Sequence, residues 1–317
     1  MTVFNATVDR MVFLFIFIGI GFLLGKIGFL PKGSEKILSK LENAVFIPAL
    51  VLGTFIEKCT PKVLSEAKWL LLFSLGALAA VIPLTLLLTR FVTKDSYIRK
   101  IYTYGLCFSN FGFMGNAVVE ALFPEIFFEY LVFTLPIWAA IYVWGVPALL
   151  LDGGEAKKGD KWLIRVFSRL KAFLNPMFIA MIIGALIGLL SIPLPNGITS
   201  AVGAAGDCMS PVAMLLTGFT MSAIDLKKVF KTPSVYVVTL IRLILYPLLA
   251  VLLFMFVEIP RTYYICLICS LAMPLGLNTI VVPAAYGKDT SVAAGMAVVS
   301  HLASAITIPV LFLLFIK

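Results

Sequence analysis

Stretches of roughly 20 apolar residues, each long enough as an α-helix to cross about 30 Å of hydrocarbon, recur from Met11 to Ile316 with short polar breaks between them. Lipid supplies no hydrogen bonds, so a chain built this way must satisfy its backbone within each segment, which selects helices. The composition agrees: 61% hydrophobic and 13% charged residues over 317 positions, with a mean hydropathy of +1.07, lie outside the range of soluble domains. The expected fold class is an all-α polytopic membrane protein. The first run follows Arg10 as a secretory leader would, but no small-residue cleavage site follows it. Lys26 and Gly28 lead straight into a second run, so it is read as a span. Five cysteines (Cys59, Cys107, Cys208, Cys266 and Cys269) lie in or beside these runs without metal-ligand partners, and read as small buried apolar residues.

Ten spans are expected, at about 11–29, 37–56, 67–90, 100–122, 127–151, 173–191, 198–222, 233–257, 262–286 and 290–316. Ten crossings put both termini on one side, and the basic residues choose it. The loops after odd-numbered spans hold Lys26, Lys32, Lys36 and Lys40; Arg90, Lys94, Arg99 and Lys100; Lys157, Lys158, Lys161, Arg165, Arg169 and Lys171; Lys227, Lys228 and Lys231; and Lys288. The termini and the other loops hold Arg10, Lys58, Lys62, Lys68, Arg261 and Lys317. Both termini are therefore expected to face outward, with the 152–171 loop in the cytoplasm. Topology also accounts for the net charge of +9, because the basic residues form no aromatic-interleaved patch of the kind that grips nucleic acid.

That loop divides the chain into residues 1–151 and 172–317, which read as two five-helix repeats joined by a linker at 152–171. One near-constant shift pairs Gly21 and Gly25 with Gly184 and Gly188, Pro48 with Pro211, Pro83 with Pro247, Asn116 with Asn278, and Pro147 with Pro309. Helix breakers in lipid are placed for backbone reasons, so their coincidence under one shift indicates duplication. An odd number of spans per copy makes the copies inverted, an arrangement characteristic of secondary transporters.

Span nine contains LAMPLGLNTIVVP and span four contains CFSNFGFMGNAVVEALFP, so both place helix breakers and bare amides at membrane depth. Such interruptions persist only where protein or a water-filled cavity satisfies the freed backbone. Each break also exposes a half-helix N-terminus worth roughly half a positive charge. Two such ends meeting in one cavity would attract an anion, with Asn110, Asn116, Asn278, Ser109 and Thr279 as neutral donors and acceptors. The alternative is a pair of kinked helices glued to neighbours by their asparagines.

Ionisable groups inside spans are expensive and point to function. Arg242 is a candidate substrate counter-ion or ion-pair partner, and Asp207 a candidate proton carrier or partner for Arg242. His301, the only histidine, is a candidate proton-coupling group or a packed residue satisfied by a neighbouring hydroxyl such as Ser304. Glu42 is expected to be solvated near the cytoplasmic surface, Asn43 to approach the site, and Glu120 to line an exit path or face headgroups. No phosphate-binding GxxxxGK[ST], no HExxH and no nucleophile elbow occurs, so neither ATP hydrolysis nor another catalytic set is expected.

In order along the chain, ENAVFIPAL (with Asn43 and Pro48), NFGFMGN (Asn110 to Asn116) and MPLGLNTIVVPAAYGKD (with Pro274, Asn278, Tyr286, Gly287 and Asp289) resemble the auxin efflux carrier family. Its bacterial members include malate and malonate permeases. Ala117 departs from the proline that the family often has after its Gly-containing turn. The resemblance implies a fold related to the bile-acid sodium symporters. Spans one, two, six and seven would form a scaffold, and the remaining spans a transport domain with two crossed broken helices. It implies substrate binding by Asn110, Gly112, Asn116, Pro274, Gly276 and Asn278, with Asn43 nearby. The expected function is secondary active transport of small organic anions by alternating access, with a sodium-coupled symporter or an anion channel as alternatives. Expected partners are an organic anion and membrane lipid, a proton or Na⁺ as coupling ion, and a homodimer as an allowed assembly. No cofactor or metal is expected.

Overall fold

The computed structural model describes residues 3–31, 33–151, 174–224 and 232–316; the expected 152–171 linker and Lys227, Lys228 and Lys231 lie outside the described residues. The described chain is helical apart from one isolated pair of bridged residues. In chain order the helices are α1 (Val3–Lys26), α2 (Ser34–Leu41), α3 (Ile47–Lys58), α4 (Pro61–Val92), α5 (Ser96–Cys107), α6 (Asn116–Leu122), α7 (Phe127–Ala140), α8 (Pro176–Leu189), α9 (Asn196–Asp207), α10 (Met209–Ser222), α11 (Pro233–Leu240), α12 (Tyr246–Phe254), α13 (Arg261–Ala272), α14 (Asn278–Ala285) and α15 (Ser291–Phe315). Wider π turns join several of them: Glu42–Phe46 between α2 and α3, Phe111–Gly115 before α6, Ile141–Leu150 after α7, and Ile241–Leu245 between α11 and α12.

Among the described residues, counted as continuous segments, seven helices are long and apolar enough to cross a membrane, and Phe111–Leu122, Pro176–Leu189 and Arg261–Ala272 are shorter apolar helices. The chain is a multi-pass membrane protein. Helix starts follow local rules. Thr60, Asp95 and Asn175 each cap a first turn by accepting from the backbone N–H three residues on, and Pro61, Pro176 and Pro233 occupy first-turn positions where no N–H is needed.

Burial sorts the helices into layers. Ile16, Leu23, Leu72, Leu87, Ile182 and Leu186 on α1, α4 and α8 are exposed, as lipid-facing side chains are. By contrast Ile101 to Asn110 and Ile265 to Leu277 are buried continuously, so both interruptions lie in the protein interior, where broken backbone can be satisfied. α1 packs along α10, and α8 along α3. These seams close on glycine: Gly21 lies against the Leu215 carbonyl and Gly184 against the Leu52 carbonyl, neither leaving room for a Cβ. α1 begins well before the expected span, which draws Arg10 into the bundle.

Candidate functional site

α5 stops at Cys107 and Phe108 turns extended; α13 stops at Ala272 and Met273 turns extended. The two unwound segments then pair with each other. Ser109 and Leu275 form an antiparallel bridge, and the Asn110 N–H donates to Pro274 O at 2.7 Å. Ser109 Oγ donates to Ser270 O at 2.9 Å, and the Leu275 N–H donates to Ser300 Oγ at 3.2 Å. The breakers suit these places. Pro274 brings an acceptor and no N–H that would need a partner. Gly276 lies where a Cβ would stand 3.0 Å from Phe108 O and 3.1 Å from Ser109 O, so a bare Cα lets the two chains cross.

Arg242 explains how the ends of α5 and α13 are tolerated. Only 1% exposed, it donates from Nη1 to Leu106 O at 2.9 Å, from Nη2 to Ser270 O at 2.6 Å and from Nε to Met273 O at 3.2 Å. Leu106 belongs to the last turn of α5, and Ser270 and Met273 to the end of α13. Each helix C-terminus carries roughly half a negative charge, so one guanidinium matches the sum of two. This corrects the expected ion pair with Asp207. All three guanidinium nitrogens are occupied by backbone carbonyls, while Asp207 is exposed at the end of α9.

The complementary ends, at Phe111 and Asn278, have no side-chain cap. Two N-termini of about half a positive charge each thus remain without a counter-charge from a capping side chain. Around them the expected polar residues divide. Asn110, 2% exposed, donates from Nδ2 to His301 Nε2 at 3.0 Å. His301 Nδ1 lies 2.7 Å from Ala297 O, so Nδ1 carries the hydrogen and Nε2 accepts. His301 is therefore held by Asn110 and Ala297; Ser304 Oγ donates instead to His301 O. The hydroxyls of Ser109 and Thr279 are taken up by Ser270 O and Gly276 O. Asn278 is partly exposed and donates to Tyr104 Oη at 3.1 Å. Asn116 is 3% exposed and its Oδ1 has no hydrogen-bond partner. Gly112 lies against the Trp138 ring.

Three residues stand elsewhere than expected. Asn43 is exposed and donates back to Ser39 O at 2.7 Å, apart from the crossing. Asp207 lines a cleft of 560 Å³ between α3, the α6–α7 turn and α9, with Thr54, Glu57, Lys58, Glu120 and Thr199. Glu42 is completely buried instead of solvated, because the π turn it opens faces α8, α9 and α10. Sequence reading also missed Arg10 as an interior group: its Nε donates to Ala117 O at 3.0 Å and its Nη2 to Ser210 Oγ at 2.8 Å. The missed signal was that apolar periodicity extends N-terminally through Val3 and Phe4.

No curated protein matches the chain. A family model described as membrane transport protein, that of the auxin efflux carriers, matches residues 6–312 and so includes both interruptions, Arg242 and His301. Nearly the whole chain lies within that match, and the protein therefore belongs to the auxin efflux carrier family of membrane transport proteins.

Proposed function

We propose that the protein is a secondary carrier of small organic anions, carboxylates such as malate, malonate or auxin-like acids, working by alternating access in a bacterial inner membrane. One electrostatic observation carries this reading. Arg242 neutralises the two negative helix ends at the crossing, while the two positive ends lack a capping side chain. Their sum, about one positive charge, matches a single carboxylate. Asn278, partly exposed beside one of these ends, would orient the bound anion.

The same reading takes the chain as ten spans in two inverted repeats, residues 1–151 and 172–317, with both termini outside. Support comes from the seams: Gly21 on Leu215 and Gly184 on Leu52 are the same contact under the shift that relates the halves. The seam helices α1, α3, α8 and α10 would form the scaffold, against which the domain holding the crossing moves. The cleft lined by Glu120 and Asp207 lies between the two and would be the outer entrance. No residue is assigned a catalytic role.

One observation favours a sodium-coupled variant. The bare Asn116 Oδ1 is an acceptor, suited to a cation rather than to an anion. Purified protein in proteoliposomes, given radiolabelled malonate, malate or indole-3-acetate with and without sodium, tests both readings. Saturable uptake that Asn278→Ala abolishes is expected; wild-type uptake by Asn278→Ala and Asn116→Ala alike would remove the site, and non-saturable flux would make the protein a channel.

A further inference from the structure

Glu42 is the described chain's most anomalous side chain. Its residue is 0% exposed, and neither Oε1 nor Oε2 has a hydrogen-bond partner. It lies about 12 Å along its helical segment from Ser34, the first residue of α2. The elements packed around its π turn offer no counter-charge. α8 and α10 contain no ionisable residue. α9 has only Asp207, which faces the outer cleft. α3 has Glu57 and Lys58, paired with each other at its far end. α2 has Glu35, which accepts from the Gly33 N–H, and the exposed Lys36 and Lys40. An ionised carboxylate without a partner is far costlier in an apolar interior than the neutral acid.

Two further features connect this carboxyl with motion. Glu42 is the first residue of the π turn Glu42–Phe46 and is flanked in sequence by the exposed Leu41 and Asn43. A π turn holds more residues than an α turn, so moving it one position along the helix rotates the residues it passes by about 100°. Such a rotation would exchange the packed Glu42 for its exposed neighbours. In addition, α10 packs against both this turn and the Phe111–Gly115 turn that starts the first half-helix at the crossing. One rigid element therefore touches both places.

We propose that Glu42 is the proton-carrying group of the transport cycle. It is a carboxylic acid in the conformation described, and it loses its proton to water when a shift of the π turn rotates it onto the face that now exposes Asn43. The O–H bond breaks heterolytically, the carboxylate stays on the protein, and no redox partner is involved. The coupling rests on the carrier reading, whereas the buried acid does not, and two measurements separate them. Infrared difference spectra of purified wild-type and Glu42→Gln protein at neutral pH are expected to show a C=O stretch of a non-hydrogen-bonded carboxylic acid in the wild type alone. Its absence from the wild type overturns the proposal.

In proteoliposomes, Glu42→Gln is expected to retain malonate–malonate exchange, because a permanently neutral group can shuttle loaded, and to lose accumulation driven by an imposed pH gradient. Glu42→Asp keeps an acid and should keep both the band and the accumulation. Accumulation by Glu42→Gln equal to wild type overturns the proposal. If wild-type protein takes up no malonate, the malonate reading fails while the infrared result still decides the state of Glu42.

Discussion

The two interrupted helices are built from similar letters and end in different surroundings. At the first break Asn110 and Asn116 are buried, Asn110 is tied to His301, and Gly112 and Gly115 are pressed against Trp138 and Tyr130. At the second, Pro274 and Gly276 are equally buried but Asn278 is partly exposed, and the chain runs on to an exposed Tyr286. The first break is therefore a support held by the protein around it. The second is where the crossing reaches accessible space. A broken helix in a membrane must satisfy its freed backbone and, to be useful, leave a polar group within reach; here the reachable amide is Asn278 at the second break, while the first keeps its unpaired Asn116 Oδ1 buried.

The largest expected effect comes from removing what both breaks share. Arg242→Ala leaves three buried carbonyls without a charge-assisted donor, each worth about 1.5–3 kcal/mol, and should lower the thermal stability of the detergent-solubilised protein drastically and abolish transport. Arg242→Lys, a point charge unable to span three carbonyls, should fall in between. If Arg242→Ala unfolds at the wild-type temperature, the shared cap is wrong.

Next is the crossing itself. Gly276→Ala pushes a methyl against the Phe108 and Ser109 carbonyls and should cost about 1–3 kcal/mol, with transport reduced in parallel, because backbone cannot step aside as a side-chain tip can. Differential scanning fluorimetry beside uptake checks both.

The sharpest comparison is also the smallest in stability. Asn110→Ala leaves His301 Nε2 buried without its donor and should cost about 1–3 kcal/mol. Asn278→Ala removes one bond at a partly exposed site and should cost roughly 1 kcal/mol or less while abolishing anion uptake. If the two variants lose stability and uptake in the same ratio, the division of labour between the breaks disappears.

The location of the breaks was legible because few residues interrupt a membrane helix without cause. Pro274, Gly276 and Asn278 in one run and Asn110, Gly112 and Asn116 in the other are such residues, and the structure places both runs in the interior, bridged at Ser109 and Leu275. The partners of the ionisable groups were not legible. Arg242 read equally well as a substrate counter-ion, and Glu42 as a solvated end. A helix of mostly apolar residues shows no polar face, so its sequence gives little sign of which way a single charge points. The π turns before Asn116, starting at Glu42 and around Arg242 shift that phase further, and they have no sequence signature.

By itself, then, the amino-acid order determined that this protein lives in a bilayer as a bundle of helices and where two of those helices must come apart, because hydrocarbon tolerates no unpaired backbone and proline and glycine mark where pairing stops. Only the tertiary structure decided which groups answer those breaks. Leu106, Ser270 and Met273 meet Arg242, and Asn110 meets His301, across separations of up to 191 residues, because helix rotation and packing, not neighbourhood in the chain, choose the partners of a buried polar atom.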